Sequence, residues 1–513
     1  MALVGAGVSS SALGGLTPLS WAAKGGHKAV VQMLLERDDI NPNIADRHGQ
    51  TPLPIAARRG YEGIVKLLLE RNDVDPNISD RFGETPLLMA ARKGYEGIVK
   101  LLLERSDVDP NISDRFGETP VLIAARKRYE GIMEMLLKRN DVNPNTRDRC
   151  GQPLLYQAAF EGREGVVKML LERWDVNPNT ANKYGQPPLN IAAYMGYEGV
   201  VKMLLERTDI NPNTADGQGQ TPLFVAAWEG HKEIVKNLLE RNDVNPNTAD
   251  KDGSTPIFMA ACRGCEGVVK MLLERWDVNL NTVNIFGKTP LSVALSNKNW
   301  GIVKMLLELS HVNPNTADDN GQTPLILTTR AEHEGIVKML LGRNDVNPNT
   351  ADKDGEAPLF IAARVGHEGI VKMLLERWDV NPNTANRFGK TPLSVAISNK
   401  HEGIVKMLLE CSDVNPNTAD RHSRTPLVIA ARKGHEGVVK MLLGRADANS
   451  DMADIVGKTA LSEAEKYRHH SIVKLLSKHK NHIPPLAGDE FTASSSQEPS
   501  NPDQCSSKRI HKL

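Results

Sequence analysis

One stretch of sequence decides the fold: Asp80-Arg81-Phe82-Gly83-Glu84-Thr85-Pro86-Leu87-Leu88-Met89-Ala90-Ala91-Arg92-Lys93-Gly94-Tyr95-Glu96-Gly97-Ile98-Val99-Lys100-Leu101-Leu102-Leu103-Glu104-Arg105. Asp-x-x-Gly is a turn signal, because glycine at the fourth position is free to take a positive φ. Thr85 can cap a helix whose first residue is Pro86, where the missing N–H costs nothing. The pattern predicts a turn and a short helix that ends at Gly94.

A second helix is predicted after Gly94. Its apolar stripe consists of Ile98, Val99, Leu102 and Leu103. On the opposite face Glu96 precedes Lys100 by four residues, a spacing that stabilises a solvated helix surface. The small pair Ala90-Ala91 in the first helix lets two helices approach closely. The stretch therefore predicts one helix-turn-helix unit with a thin apolar layer.

The same pattern returns every 34 residues. Thr-Pro or its remnant stands in register fourteen times, from Thr17-Pro18 to Thr459-Ala460, and these positions define copies 1 to 14. A fixed period of this size indicates a supersecondary unit stacked on itself. The sequence predicts an all-α repeat protein of about fourteen helix-turn-helix units joined by β-turn or hairpin-like loops. Its function is then expected on a long surface, not in a single pocket.

The repeated string D-x-x-G-x-T-P-L-x-x-A-A-x-x-G-H/Y-x-x-I/V-V-x-L/M-L-L resembles the ankyrin repeat, and the resemblance covers residues 13–482. Segments such as Thr17-Pro-Leu-Ser-Trp-Ala-Ala are similar to those of filamentous-fungal ankyrin arrays, which are often attached to NACHT-type domains. The resemblance implies a curved solenoid whose concave face binds partner proteins. The usual ankyrin histidine after Thr-Pro-Leu is absent from every copy, so the hydrogen bond with which it steadies the turn is not expected.

Composition sets the class and the surroundings that we expect. Lysine plus arginine and aspartate plus glutamate number 63 each, so no long-range field favours nucleic acid or an anionic membrane. No stretch of 18 apolar residues and no basic signal-peptide start occurs, and the five scattered cysteines suit a reducing compartment. We expect a soluble monomer in the cytoplasm or nucleus. Residues 1–12 read as a flexible leader, 13–482 as the array with copy 14 as a polar cap, and 483–513 as a disordered tail.

Motifs that carry chemistry are weak. Cys262-Arg-Gly-Cys265 has the C-x-x-C form of redox and zinc sites, but no second pair with ligand spacing accompanies it. Seven of the fourteen histidines stand at one place, the start of the second helix, where we expect a structural role. No phosphate-binding loop, nucleophile elbow or protease signature is present. We predict no enzymatic activity, no metal and no cofactor.

Two sets of variable residues remain as candidate binding sites. The predicted basic stripe consists of Arg58, Arg59, Arg92, Lys93, Arg126 and Lys127, with Phe82 and Phe116 at the turn tips. The predicted aromatic ladder consists of Phe160, Tyr194 and Trp228. Acidic peptide segments would fit the stripe through arginine–carboxylate pairs and aromatic contacts. A solvated face enlarged by duplication is the alternative for both sets, and nucleic acid is a third, less favoured reading of the stripe.

The leading hypothesis is a non-enzymatic protein–protein interaction scaffold. The second is the sensor array of an NLR-like signalling protein whose effector domain is absent from this chain. Residues 61–87 and 95–121 differ at only two places, and Trp174, Trp276 and Trp378 are spaced by 102 residues, which indicates growth in blocks of three copies. Copies 9, 10 and 12 break the Ala-Ala rule, and copies 9 and 12 also replace the helix-ending glycine by Lys298 and Lys400, so local changes in curvature are expected there.

Overall fold

A computed structural model describes residues 15–480. The leader predicted at 1–12 and the tail predicted at 483–513 lie outside the described residues. Residues 15–480 contain 28 α-helices and no β-strand; one isolated bridge joins Arg147 and Pro153. The chain forms two compact units, one up to Val380 and one from Asn381. The prediction of an all-α helix-turn-helix repeat is confirmed.

The first unit holds α1 to α22, two helices per copy. The short first helices of its copies are α1 (Pro18–Gly25), α3 (Pro52–Arg59), α5 (Pro86–Lys93), α7 (Pro120–Lys127), α9 (Leu154–Phe160), α11 (Pro188–Met195), α13 (Pro222–Glu229), α15 (Pro256–Arg263), α17 (Pro290–Ser296), α19 (Pro324–Arg330) and α21 (Pro358–Val365). The second helices are α2 (Lys28–Leu35), α4 (Glu62–Leu69), α6 (Glu96–Leu103), α8 (Glu130–Leu137), α10 (Glu164–Leu171), α12 (Glu198–Leu205), α14 (Lys232–Leu239), α16 (Glu266–Leu273), α18 (Trp300–Leu307), α20 (Glu334–Leu341) and α22 (Glu368–Leu375).

The second unit holds the helices of copies 12 to 14. They are α23 (Pro392–Ser398), α24 (Glu402–Glu410), α25 (Pro426–Lys433), α26 (Glu436–Leu443), α27 (Ala460–Lys466) and α28 (His470–Lys480). Within each unit first helices pack on first helices of neighbouring copies, and second helices pack on second helices.

The helices begin and end where the sequence predicts. Thr85 Oγ1 accepts a hydrogen bond from the Leu88 amide at 3.2 Å, and Pro86 occupies the first helical position. Gly94 ends α5 with a left-handed φ of 76°, and its N–H returns to the carbonyls of the alanine pair. Threonine caps and glycine ends of this kind set where a first helix begins and ends.

Five copies place another residue where glycine ends the first helix, and all five keep the left-handed backbone. They are Arg128, Lys298, Glu332, Lys400 and Arg468, with φ between 56° and 64°. In copies 9, 10 and 12, where we expect altered curvature, the turn after the first helix keeps a residue with positive φ, and the first helix has seven residues instead of eight. A side chain in this conformation costs about 1–2 kcal/mol, so the stacking of neighbouring copies must outweigh it.

The core is one apolar layer per copy. In copy 3 it consists of Leu87, Ala90, Ala91, Ile98, Val99 and Leu102, all fully or almost fully buried. Leu103, which the sequence assigns to the same stripe, is only half-buried. Burial of small residues in the first helix and of branched residues in the second explains how so few aromatic residues suffice.

An aspartate or an asparagine holds the turns in the way that the missing histidine does not; the asparagines are Asn182, Asn284 and Asn386. Asp80 Oδ1 accepts from the amides of Phe82 at 2.9 Å and Glu84 at 3.0 Å, and the Asp80 amide donates to the Glu84 carbonyl. The Arg81 amide donates to the His48 carbonyl of the preceding copy at 3.1 Å. This tip is therefore tied both to itself and to its neighbour.

Connector asparagines form a second link between copies. Asn77 Nδ2 donates to the Asp107 carbonyl at 2.7 Å, and Asn77 Oδ1 accepts from the Asp109 amide at 2.8 Å. The same pair of bonds recurs from Asn111 to the next copy. The amide side chain thus bridges two connectors, which positions the long loops on one side of the stack.

Candidate protein-binding surface

The first arginine of each pair in the basic stripe is held by carboxylates of this chain. Arg58 Nη2 lies 2.7 Å from Asp80 Oδ2, and Arg92 Nη2 lies 2.6 Å from Asp114 Oδ2. The two aspartate side chains are 1% and 2% exposed. Because one oxygen of each aspartate serves the turn, the other is available to the helix end of the preceding copy, and the pair stabilises the stack.

Glutamates extend this arrangement into a network across copies 2 to 4. Arg92 Nε lies 2.8 Å from Glu84 Oε1, and Arg126 Nη2 lies 2.6 Å from Glu118 Oε2. The sequence predicts that these guanidinium groups bind an external acidic segment, and the structure shows that they also have partners within the array. Their carboxylate partners lie within the array, so Arg58, Arg92 and Arg126 act first as framework residues.

The second basic residue of each pair faces solvent. Arg59, Lys93 and Lys127 are exposed at the ends of α3, α5 and α7. Among residues 15–480 no carboxylate lies within ion-pair distance of any of the three. They are the part of the predicted basic stripe that remains open to a partner.

The turn tips of copies 3 to 5 carry alternating arginine and phenylalanine side chains, which we call the arginine–phenylalanine column. It consists of Arg81, Phe82, Arg115, Phe116 and Arg149. The guanidinium carbons of Arg81 and Arg115 lie 4.6 and 4.8 Å from the centre of the Phe82 ring. Those of Arg115 and Arg149 lie 4.6 and 5.9 Å from the centre of the Phe116 ring. Cation–π contacts therefore hold exposed charges in a fixed row.

The predicted aromatic ladder is only partly exposed. Phe160 and Tyr194 are 47% and 48% exposed at the ends of α9 and α11. Trp228 is half-buried, and its ring packs edge-on against Phe224 at 6.0 Å between centres. No ring-to-ring contact joins the three residues in the part of the chain that the structure describes. They form separate apolar platforms on successive copies, not one stacked column.

A further set of charged residues escaped the sequence reasoning, which we call the arginine ladder. Each member binds the aspartate two residues later and backbone carbonyls of the preceding copy; the members are Arg71, Arg105, Arg139, Arg173, Arg207, Arg241, Arg275, Arg343, Arg377 and Arg445. The signal for it is the Arg-x-Asp that recurs after most of the second helices. The guanidinium groups of the arginine ladder are therefore engaged in bonds within the array.

The arginine ladder also sets the ionisation of its aspartates. Hydrogen bonding to the Arg173 guanidinium holds the pKa of Asp175 below its ordinary value, and Arg207 does the same to the pKa of Asp209. Partial burial acts in the opposite direction on both pKa values and is outweighed.

The three tryptophans spaced by 102 residues are the most exposed large apolar side chains among residues 15–480. Trp174, Trp276 and Trp378 are 91%, 96% and 88% exposed, and each sits between a ladder arginine and its aspartate. Other copies place asparagine, serine or threonine there, such as Asn72 and Ser106. The sequence shows their spacing, but only the structure shows that the rings leave the stack entirely.

The described residues offer little for catalysis. They contain no cluster of three or more His, Cys, Asp or Glu side chains that could hold a metal ion. Burial raises the pKa of the Cys265 thiol, which disfavours the reactive thiolate. Cys262 lies 3.3 Å from the Asn297 amide nitrogen, and both cysteines are free thiols. In the same part of the chain no helix combines the length and the apolar character that crossing a membrane requires.

Comparison with known proteins identifies the repeat. The model of the family described as ankyrin repeats (3 copies) matches residues 2–80, 64–148, 139–216, 208–284, 274–352, 331–420 and 412–485. A search of curated proteins finds no match. The family matches tile nearly the whole array and coincide with the capped helix pairs, the turn tips and the 34-residue period described above. The chain belongs to the ankyrin-repeat family.

Proposed function

We propose that this chain is a non-enzymatic scaffold for protein–protein interaction, as ankyrin repeats generally are. The observation that carries the proposal is the presence of large rings at one position of successive copies, Phe160 and Tyr194, each nearly half exposed. Such rings bury much area at low entropic cost and commonly anchor protein interfaces. They adjoin the copies that carry the exposed Arg59, Lys93 and Lys127.

The proposed partners are protein segments with acidic character. Charge complementarity supports this, because these three cations lie open to solvent while Arg58, Arg92 and Arg126 are bound to internal carboxylates. The balanced total charge gives no general attraction to nucleic acid. A basic patch followed by apolar platforms suits a segment with acidic residues at one end and apolar residues at the other.

We propose a monomer that works in the cytoplasm or the nucleus. The free thiols Cys150, Cys262, Cys265 and Cys411 support a reducing compartment. Light scattering after size exclusion tests the monomer, and fluorescent tagging of the chain tests the location.

A second candidate is the recognition array of an NLR-like signalling protein. Copies with a shared framework and different tip residues favour this role, because they vary a surface without changing the scaffold; equivalent tip positions carry Phe82, Tyr184 and Gln218. Reading the genomic sequence upstream for an in-frame NACHT-type segment tests it. Absence of such a segment, together with no such domain among captured partners, would count against this candidate.

The scaffold proposal is tested by affinity capture with the full chain and two variants. Charge reversal of Arg59, Lys93 and Lys127 to Glu tests the basic part, and alanine at Phe160 and Tyr194 tests the platforms. The arginines bound to internal carboxylates are left intact, because their reversal would break the stack.

The matched control reverses three exposed lysines on the second helices, Lys66, Lys100 and Lys168, to Glu. We expect the control to retain the proteins that the parent captures and each test variant to lose a defined subset. Recovery of the same proteins by all four chains would refute binding at this surface.

A further inference from the structure

The arginine–phenylalanine column has a regular spacing. The guanidinium carbons of Arg81 and Arg115 both contact the Phe82 ring. The sum of their distances to the ring centre sets an upper limit of about 9.4 Å on the distance between the two carbons. The same reasoning at Phe116 caps the separation of Arg115 and Arg149 at about 10.5 Å. Neighbouring helices in such a stack lie about 8–10 Å apart, and together with these upper limits this spacing leads us to infer a repeat of about 9 Å for the charges.

These three charges are open. Arg81, Arg115 and Arg149 are exposed, and no carboxylate among residues 15–480 lies within ion-pair distance of them. Each ring restrains the flexible arginine stems above it, which lowers the entropy that a ligand must remove on binding. The column thus presents three preorganised guanidinium groups in one row.

We propose that the column binds an extended acidic peptide with a carboxylate at every third residue. The inference rests on the proposed scaffold function and adds the conformation and period of the partner. A polyproline II helix rises about 3.1 Å per residue with three residues per turn, so residues three apart lie about 9.3 Å apart on one face. A β-strand has a similar rise but points alternate residues to opposite faces, so every second carboxylate of such a series would turn away from the column.

Nucleic acid fits the column less well. Single-stranded nucleic acids bind such surfaces by stacking bases on open aromatic faces. The Phe82 ring already carries two guanidinium groups, and their mutual repulsion favours opposite faces of the ring, which leaves no face for a base. Arginine–carboxylate pairs use the guanidinium edge instead, which the ring contacts leave free.

The test measures fluorescence anisotropy of labelled peptides with the full chain at low ionic strength. The first probe is Pro-Glu-Pro-Pro-Glu-Pro-Pro-Glu-Pro, and the second has the same composition with its three glutamates adjacent. A third probe is a helical peptide with glutamate at every seventh residue, and a fourth is a short oligothymidine. We expect the first probe to bind at least about fivefold more tightly than each of the others. Clustered glutamates and phosphates do not share the repeat of the column, and the helical probe, with a repeat of about 10.5 Å, exceeds the limit of about 9.4 Å between Arg81 and Arg115.

Two variants localise the binding. Arg81→Gln with Arg115→Gln removes two charges of the column, and we expect about tenfold weaker binding of the first probe with loss of its advantage. The control, Lys251→Gln with Lys353→Gln, removes two exposed charges at the same tip position of other copies and is expected to stay within twofold of the parent. Urea midpoints of both variants confirm that the stack is intact.

Equal affinity for periodic and clustered peptides, tighter binding of the helical or nucleic-acid probe, or an equal loss in the control would each overturn the inference. None of these results would overturn the scaffold function, which is decided by partner capture with the Arg59/Lys93/Lys127 and Phe160/Tyr194 variants. Conversely, unchanged capture with those variants would refute partner binding at the surface of Arg59, Lys93, Lys127, Phe160 and Tyr194. The peptide measurements would still decide separately whether the arginine–phenylalanine column binds acidic peptides.

Discussion

Replacement of Arg173 by leucine tests whether the arginine ladder holds copies together. Arg173 Nη1 donates to the carbonyls of Leu137 at 2.9 Å and Arg139 at 2.8 Å, and Nη2 donates to that of Val142 at 2.9 Å. All three acceptors belong to the preceding copy. Arg173 also pairs with Asp175, and its side chain is only 12% exposed. The substitution keeps an apolar stem and removes every one of these bonds.

The expected loss follows from the number of bonds. Three of the bonds between copies are 2.8–2.9 Å long, and a net contribution of about 0.5–1.5 kcal/mol for each gives a total of about 1.5–4.5 kcal/mol. A fourth bond, from Nη2 to the Asn140 carbonyl, is 3.4 Å long and adds little. Water can reach the freed carbonyls at the edge of the stack, so we expect a loss of about 2 kcal/mol. The ion pair with Asp175 adds little, because exposed pairs contribute about 0–1 kcal/mol.

Arg37 provides a matched control within the chain. It makes the same two-pronged contact with its own aspartate, Asp39, at 3.0 and 2.9 Å. Among residues 15–480 it has no bond to a carbonyl of another copy. Arg37→Leu therefore removes the ion pair alone, and the difference between the two variants measures the bonds between copies.

Hydrogen exchange of the native chain is the suitable assay, because stability in a repeat array is a sum of local terms. A loss of about 2 kcal/mol corresponds to roughly 30-fold faster exchange of amides in α8 and α10 for Arg173→Leu. We expect no comparable change near α2 for Arg37→Leu. If both variants behave alike, the carbonyl bonds contribute nothing measurable and the arginine ladder is not a structural device.

Four other outcomes are expected. Leu309→Arg combined with His311→Asp would complete the arginine ladder in copy 9. We expect the free energy of unfolding of the first unit to rise by about 1–2 kcal/mol, seen as a higher urea midpoint. Arg128→Gly would remove left-handed strain at φ 63° and stabilise by about 1 kcal/mol, measured in the same way. Burial, and to a smaller degree Lys433, lowers the pKa of His435. The stability that His435 contributes is therefore present above the ordinary histidine pKa and is lost as the pH falls through the lowered pKa. For His435→Tyr we expect the free energy of unfolding of the full chain to fall less between pH 7 and pH 5 than it does for the parent. Because the pKa values of the ladder aspartates are lowered, the stability that they contribute should be retained down to about pH 4. Below that pH the aspartates should become protonated together and the array should unfold, seen as a steep fall in far-UV circular dichroism.

Local signals in the sequence were sufficient for the fold. Thr85, Pro86 and Gly94 set the ends of a helix by backbone chemistry that neighbours do not change, so helix positions follow from them. The prediction that Leu103 belongs to the buried stripe was only partly right, because its side chain is half-buried. An apolar stripe in the sequence does not show how much of each side chain the next copy covers.

The candidate site could be predicted less well, for a physical reason. Arg58 pairs with Asp80, which lies 22 residues ahead in the next copy, and such a contact depends on how copies stack. A period by itself does not show which of two adjacent cations turns inward. The contacts in the arginine–phenylalanine column likewise depend on side chains of neighbouring tips, although the sequence placed both residue types there.

Leu309 gives the first unit a mechanical property. Everywhere from copy 3 to copy 8 a guanidinium fastens one copy to the carbonyls of the preceding copy, and Arg275 is the last of that run. Copy 9 has an aliphatic side chain at this position, and the fastening resumes with Arg343. Under a pulling force the joint between copies 8 and 9 should yield first. The first unit would then extend at one determined place, and the copies on either side would remain folded as the load rises.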